Sequence, residues 1–240
     1  MVDVQNDFCE GGSLAVEGGL AVDRRIGSYG ANMMSNGDRY EMVVFTKDHH
    51  LPDDDNGGHF ATYRPCVGEA DAEGVWHCSV CGRLGDEDCD PEPHWIIPPD
   101  FKVRWPAHCV QGSTGNEFAP RVAELAEFLN RSVDVYTRHP SPWTVVYKGE
   151  GEPAYSGFQG KTSGGGTLYE VLSARGIKRV DICGLATDYC VRATALDAVG
   201  MGFETRVITD LCAAVDPSGV DGVLKELRDH GVETLEMGKL

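Results

Sequence analysis

Cys190 lies in Gly184-Leu-Ala-Thr-Asp-Tyr-Cys190-Val191, where an apolar run ends and an amphipathic stretch begins. A thiol at such a junction falls in the first turn of a helix, where free backbone N–H groups and the positive end of the helix dipole favour thiolate and can hold a developing oxyanion. The spacing predicts a nucleophile with a lowered pKa, and Thr187 or Asp188 as the helix cap. Two further groups stand at strand ends. Asp3 follows Val2 and precedes the turn-forming Gln5-Asn6-Asp7, and Lys148 closes Thr144-Val-Val-Tyr147 just ahead of Gly149. A carboxylate that takes the thiol proton and returns it to a leaving group, beside an ammonium that favours the thiolate, is the chemistry of acyl transfer. Taken singly, each has an ordinary alternative: a small core thiol, and solvated charges at strand ends.

A second set is richer in nitrogen. Asp48-His49-His50 follows the run Val43 to Thr46, His59 sits in Gly57-Gly58-His59-Phe60, and His108 in Trp105-Pro-Ala-His108-Cys109. Alternation along an extended segment turns Asp48 and His50 to one side and His49 to the other. With His59 and His108 they could complete a site for one divalent ion, zinc, iron or manganese; the alternative is histidines scattered on surface loops.

These residues need elements that bring them to one place. Short β-rich runs at Met42 to Phe45, Val133 to Tyr136, Thr144 to Tyr147, Val180 to Cys183 and Thr205 to Ile208 alternate with helical patterns. The helices span Leu20 to Met34, Ala119 to Leu129, Thr167 to Arg175, Tyr189 to Val199 and Ser218 to His230. That alternation predicts an α/β fold: a three-layer α/β/α arrangement with a mostly parallel, doubly wound sheet of about six strands and helices on both faces. Ligands of such sheets sit beyond the carboxyl ends of the strands, where Asp3, Asp48, Lys148 and Cys190 are expected. A chain of 240 residues fits one such domain, 1–240. Two places break the pattern. From about 61 to 100 the chain turns polar and Cys-rich without a period, an insertion that requires a staple of its own or stays mobile. At the start only Met1 and Val2 precede Asp3, so the first strand is expected to be truncated or unusually short.

The formal net charge of −17 argues against a nucleic-acid partner, which would be met by a basic face. No apolar stretch has membrane-spanning length and no basic-then-apolar leader opens the chain. Nine cysteines, an odd number, with Cys66, Cys78, Cys81 and Cys89 crowded into the insertion, suit reduced thiols and metal better than a disulfide framework. The expected location is the cytoplasm.

Five motifs, in order, carry a resemblance that covers nearly the whole chain outside the insertion. They are Val2-Asp-Val-Gln-Asn-Asp-Phe8 with Cys9 to Val16, Thr46-Lys-Asp-His-His50, Trp105-Pro-Ala-His-Cys-Val110, Tyr147-Lys-Gly149 with Tyr155-Ser-Gly-Phe158, and Gly184 to Val191. Together they resemble the nicotinamidase (pyrazinamidase) branch of the isochorismatase-like cysteine hydrolases. The resemblance implies a metal-dependent amidohydrolase that converts nicotinamide to nicotinate and ammonia in NAD salvage, through a thioester on Cys190. Asp3 would be the acid–base and Lys148 the third catalytic member, with Asp48, His50, His59 and His108 as metal ligands. A cis peptide between Leu185 and Ala186 would aim the amides of Ala186 and Cys190 at the oxyanion, and Phe8, Trp105 and Tyr155 would wall a flat ring. The partner would be this small-molecule substrate, with assembly into a homo-oligomer left open.

The insertion departs from the family pattern. Its Cys78-Ser-Val-Cys81 knuckle with Cys66 and Cys89 could hold a second, structural zinc that folds a coreless loop, or remain free thiols on a flap near the mouth. Two other readings compete with nicotinamide hydrolysis: a relative acting on a carbamoyl or aliphatic amide without metal, and a zinc-bound thiol module serving redox sensing or docking. His139 and His230 are expected to be solvated or capping, and Cys9, Cys109, Cys183 and Cys212 to be core or near-site thiols.

Overall fold

The computed structural model describes residues 1–35, 40–64, 68–73, 76–78, 94–95, 99–131 and 143–239. Two three-stranded sheets form the centre of the α/β fold. One has the order β1 (Val43–Asp48), β6 (Trp143–Lys148), β7 (Lys161–Thr162), and the other β10 (Glu233–Leu235), β9 (Glu204–Ala213), β8 (Arg179–Leu185). All pairings are parallel except the edge pair β6–β7.

The first two residues join the sheets. Val2 N–H donates to Cys183 O and Leu185 N–H to Val2 O, while the Met1 ammonium donates to Val44 O and Thr46 N–H to Met1 O. Gly184 makes this approach feasible: its φ is +127°, and a Cβ there would stand 2.0 Å from Val2 O. The short first strand expected from the sequence is therefore a single bridge, Val2 to Gly184, wedged between β1 and β8.

Alternate residues of each strand feed two apolar clusters. Phe45, Cys183 and Ile208 pack with α1 (Gly19–Ser35) and α2 (Pro120–Arg131) through Val22, Ile26, Leu125 and Leu129. Val146, Ile182 and Val207 pack with α3 (Leu168–Ala174), α4 (Arg192–Gly200) and α5 (Val220–Asp229) through Leu172, Ala195 and Leu227. Period-2 alternation thus covers the strands with helices on both faces. Gly27 and Gly30 let α1 approach α2, since added Cβ atoms would meet Arg121 Cβ at 2.6 Å and Leu125 Cδ2 at 2.5 Å. The first turn of α2 is capped from outside, by Asp23 of α1, whose carboxylate accepts from the N–H groups of Arg121 and Val122.

Several expectations need correction. A distinct Cys-rich inserted loop is not evident; among the described residues of 61–100 there are two antiparallel pairs, β2 (Tyr63–Arg64) with β5 (His94–Trp95) and β3 (Gly68–Ala70) with β4 (Trp76–Cys78). Ladders of two or three residues are too short to leave a period in the sequence. Strands β7 and β10 escaped the sequence reading for the same reason. Cys66, Cys81, Cys89, His139 and the strand expected over Val133 to Tyr136 lie outside the described residues, as does the side chain of Cys78. No helix among the described residues is long and apolar enough to cross a membrane.

Candidate active site

β1, β6 and β8 end on one side, and the residues that follow converge there. Asp3, φ +46°, turns its carboxylate back toward β1, where Thr46 Oγ1 accepts from Asp3 N–H at 3.2 Å and donates to Oδ1 at 2.5 Å. Lys148, the last residue of β6, extends Nζ to 2.9 Å from Asp3 Oδ2, into contact with Asp48 Oδ1, to 3.1 Å from Ala154 O and to 3.6 Å from Cys190 Sγ. Carboxylate oxygens of Asp3 and Asp48 and the Cys190 sulfur lie within 4.8 Å of one another, all buried.

Cys190 departs from its expected setting. After β8 and the cis Leu185–Ala186 bond the chain makes a π-helical turn, Thr187–Val191, before α4 begins. Neither Thr187 nor Asp188 caps it; Ala186 holds that position without a side-chain bond, and Asp188 instead accepts from the N–H groups of Val215 and Asp216. The thiol pKa is raised well above its ordinary value rather than lowered: burial outweighs the opposing pull of Lys148, and the charges of Asp3 and Asp48 add to it. A thiol in this setting would need a base before it could attack an acyl carbon.

A carboxylate stands beside it. Burial pushes the Asp3 carboxyl up despite Lys148, and its Oδ2 makes no hydrogen bond beyond the lysine ion pair. At Asp48, Lys148 followed by His108 and His50 overcomes the burial penalty and holds the carboxyl well below the usual range. Lys148 is pushed well above the usual lysine value because the two carboxylates outweigh its own desolvation.

Three imidazoles stand against the far side of Asp48. His50 Nδ1 lies 2.7 Å from Gly149 O and His108 Nδ1 2.8 Å from Pro106 O. Carbonyls accept only, so both rings donate from Nδ1 and turn Nε2 inward, 3.8 and 3.6 Å from Asp48 Oδ2. His59 completes the group, with donor atoms of all three within 4.8 Å of one another. Burial, then His50 and His108, push the His59 pKa down to about 3. His50 Nε2 and His59 Nδ1 are buried without a hydrogen-bond partner. Inward-facing ring nitrogens of three histidines, two of them unpaired, beside a carboxylate fit a divalent cation. His49 turns away, toward Asn116 Oδ1 at 3.1 Å and the Glu150 carboxylate.

Phe8, His59, Trp105, Tyr155, Ala186 and Cys190 line one cavity with Tyr189, whose ring meets Trp105 edge-on at 4.9 Å. Trp105 Nε1 donates to Tyr155 Oη at 3.0 Å, and the Tyr155 and Tyr189 hydroxyls donate to the carbonyls of Lys102 and Phe101. The space left between these walls is about 20 Å³, room for about one water molecule.

The sequence reading missed Tyr189, although it adjoins Cys190, and a buried amide clamp. Gln5 accepts from Asp48 N–H and donates to the carbonyls of Asp48 and Asn116, while Asn116 donates to the carbonyls of Asp48 and Cys109. A polar residue between Val4 and a turn was the only local hint.

Residues 1–238 match the isochorismatase domain. The chain is 37% identical over 233 residues to the nicotinamidase/pyrazinamidase of Mycobacterium tuberculosis, covering 97% of this chain and 95% of that protein. Among solved structures, the pyrazinamidase of Pyrococcus horikoshii in complex with zinc superposes with a TM-score of 0.63 at 28% identity, covering 99% and 97% of the two chains. A protein of L. infantum in complex with nicotinate gives 0.63 at 27% identity, covering 99% and 91%. With a domain match spanning almost every residue and a relative this similar over its full length, the chain belongs to the isochorismatase family.

Proposed function

We propose that this chain is a nicotinamidase, a metal-dependent cysteine amidohydrolase that releases nicotinate and ammonia from nicotinamide in NAD salvage. The observation that carries this is the meeting of Cys190, Asp3 and Lys148 beside a three-histidine group in one aromatic-walled cavity. Similar curated proteins are named nicotinamidase or nicotinamidase/pyrazinamidase, and the similar L. infantum protein is solved in complex with nicotinate. The two clusters on opposite sheet faces support one three-layer α/β/α domain. A nucleophilic thiol suits the reducing cytoplasm.

His50, His59, His108 and Asp48 would hold one divalent metal, zinc, iron or manganese, which supplies a Lewis acid able to take a pyridine nitrogen as ligand and fix the ring. Phe8, Trp105 and Tyr155 flank the ring and exclude water. Asp3 takes the Cys190 proton as sulfur adds to the carboxamide carbon, and Lys148 offsets the negative charge that results. The N–H groups of Ala186 and Cys190 hold the oxyanion. Protonated Asp3 then gives its proton to the amide nitrogen, the C–N bond breaks, and ammonia leaves a thioester on Cys190. Asp3 next takes a proton from water, whose oxygen displaces the sulfur; nicotinate departs and the thiol is restored. The test is ammonia release from nicotinamide by the native chain and by Cys190→Ala, with and without a chelator. Native activity lost in both comparisons supports the reading, and undiminished release by Cys190→Ala defeats it.

A further inference from the structure

The motif Thr46-Lys-Asp-His-His50 supplies Asp48 and His50 to the nitrogen-rich group, and its first residue has no part there. Thr46 stands two residues ahead of Asp48 on β1, so the pleat turns both side chains to the same face. It is buried, and its hydroxyl meets Asp3 twice, at the backbone and at the carboxylate.

The direction of those two bonds is fixed. Asp3 N–H can only donate, so Thr46 Oγ1 accepts it at 3.2 Å, and the single hydroxyl proton is left for Asp3 Oδ1 at 2.5 Å. Oδ1 is thereby committed to Thr46, while Oδ2 faces Lys148 Nζ at 2.9 Å and makes no other hydrogen bond. The two anchors respond differently to a proton on Asp3. Lys148 holds Oδ2 through charge, a hold that weakens once the carboxyl is neutral. A hydroxyl that donates to Oδ1 serves a carboxylate oxygen and the carbonyl oxygen of a protonated acid alike. Thr46 thus keeps the carboxyl in place across a proton transfer that loosens the lysine contact.

The hydroxyl is itself held in one orientation. Threonine is branched at Cβ, so placing the methyl places the hydroxyl. That methyl, Cγ2, stands against Gly157, the first residue of the turn Gly157–Gln159, and a Cβ on the glycine would lie 2.9 Å from it. Gly157 is fixed in turn, its N–H donating to Thr194 Oγ1 at 2.9 Å. Its φ is not in the left-handed region, so the missing side chain answers to space rather than to backbone conformation.

We propose, on the reading of Asp3 as the acid–base, that Thr46 is its positioning residue: the hydroxyl holds Oδ1, so that Oδ2 takes the proton from Cys190 Sγ as the S–H bond breaks and gives it to the amide nitrogen as the C–N bond breaks. Gly157 leaves the room for the methyl that sets this hydroxyl.

The test measures kcat and KM for ammonia release from nicotinamide by the zinc-loaded chain. Thr46→Val, of the same shape without the hydroxyl, lowers kcat about tenfold or more and leaves KM within about twofold, since the groups proposed to bind the ring are untouched. Thr46→Ser, which returns the hydroxyl without the methyl, recovers most of the rate. Gly157→Ala lowers kcat in the native background and much less in Thr46→Ser, which has no methyl to displace. A native chain that releases no ammonia overturns the acid–base reading and this role with it. With the native chain active, Thr46→Val at native kcat, or losing rate through KM alone, overturns the role of Thr46 and leaves that of Asp3 standing. Should Thr46→Val fail to fold, the Gly157 pair decides: an equal cost of Gly157→Ala in both backgrounds overturns the proposal.

Discussion

Replacing Lys148 with methionine keeps an unbranched stem in the site and removes the cation that Asp3 and Asp48 share. In the native protein Nζ lies 2.9 Å from Asp3 Oδ2 and touches Asp48 Oδ1, with all three side chains buried. At an effective dielectric near 20 the Asp3 contact is worth about 6 kcal/mol in gross Coulomb energy. Desolvation offsets much of it, and deleting one partner of a buried pair costs about 3–5 kcal/mol net. The two carboxylates, with oxygens within 4.8 Å, then repel by about 3 kcal/mol in the same dielectric, and one takes up a proton. That group acquires a folded pKa above its unfolded one. Its contribution is full below the unfolded carboxylate pKa of about 4 and is lost as pH rises through the folded value. In the native protein Asp48 works the other way: held low, it stabilises above the usual carboxylate pKa and loses that contribution only as pH falls toward its depressed value. Thermal melts from about pH 4 to 8 should therefore show Lys148→Met falling further behind the native protein as pH rises. The gap at neutral pH should reach roughly 10 °C for a domain of this size. Ammonia release should fall at least about a hundredfold, the equivalent of about 3 kcal/mol. A variant that melts with the native protein at every pH and keeps its rate would refute the shared-cation argument.

Gly149→Ala, which keeps every proposed ligand, should displace the His50 ring: at φ +80° its Cβ would stand 2.5 Å from His50 Cε1, and chelator competition should show affinity for a divalent metal down by about 10–100-fold. Stripping the metal should abolish nicotinamide turnover, and zinc, iron or manganese should restore it; full activity in protein shown metal-free by atomic spectroscopy would contradict the site. Asp23→Ala should cost about 1–2 kcal/mol by uncapping α2 and lower Tm by roughly 2–4 °C per kcal/mol, with ammonia release unchanged.

What the sequence made legible was local. Alternation separated His50 from His49, the runs ending at Lys148 and Cys183 located the strand ends to within two residues, and the helical patterns matched α1, α2 and α3 to within a residue or two. What escaped it depends on distant partners. The state of the Cys190 thiol is set by burial and by Asp3, Asp48 and Lys148, so helix-start logic gave the wrong sign. The cap of α2 comes from α1, and the clamp on Asp48 joins Gln5 to Asn116, 111 residues away. Nothing in the neighbourhood of either residue could announce that pairing.

Asp48 belongs to two half-sites at once. Oδ1 faces the ammonium of Lys148 and Oδ2 faces the imidazoles of His50 and His108. On the proposed function the two halves are coupled: a change that alters a metal's hold on this carboxylate would also alter how firmly Lys148 is anchored beside the Cys190 sulfur. Lineages that exchange one histidine for another donor should show matching changes around Lys148, and a switch of metal preference should be accompanied by a change in nucleophile reactivity.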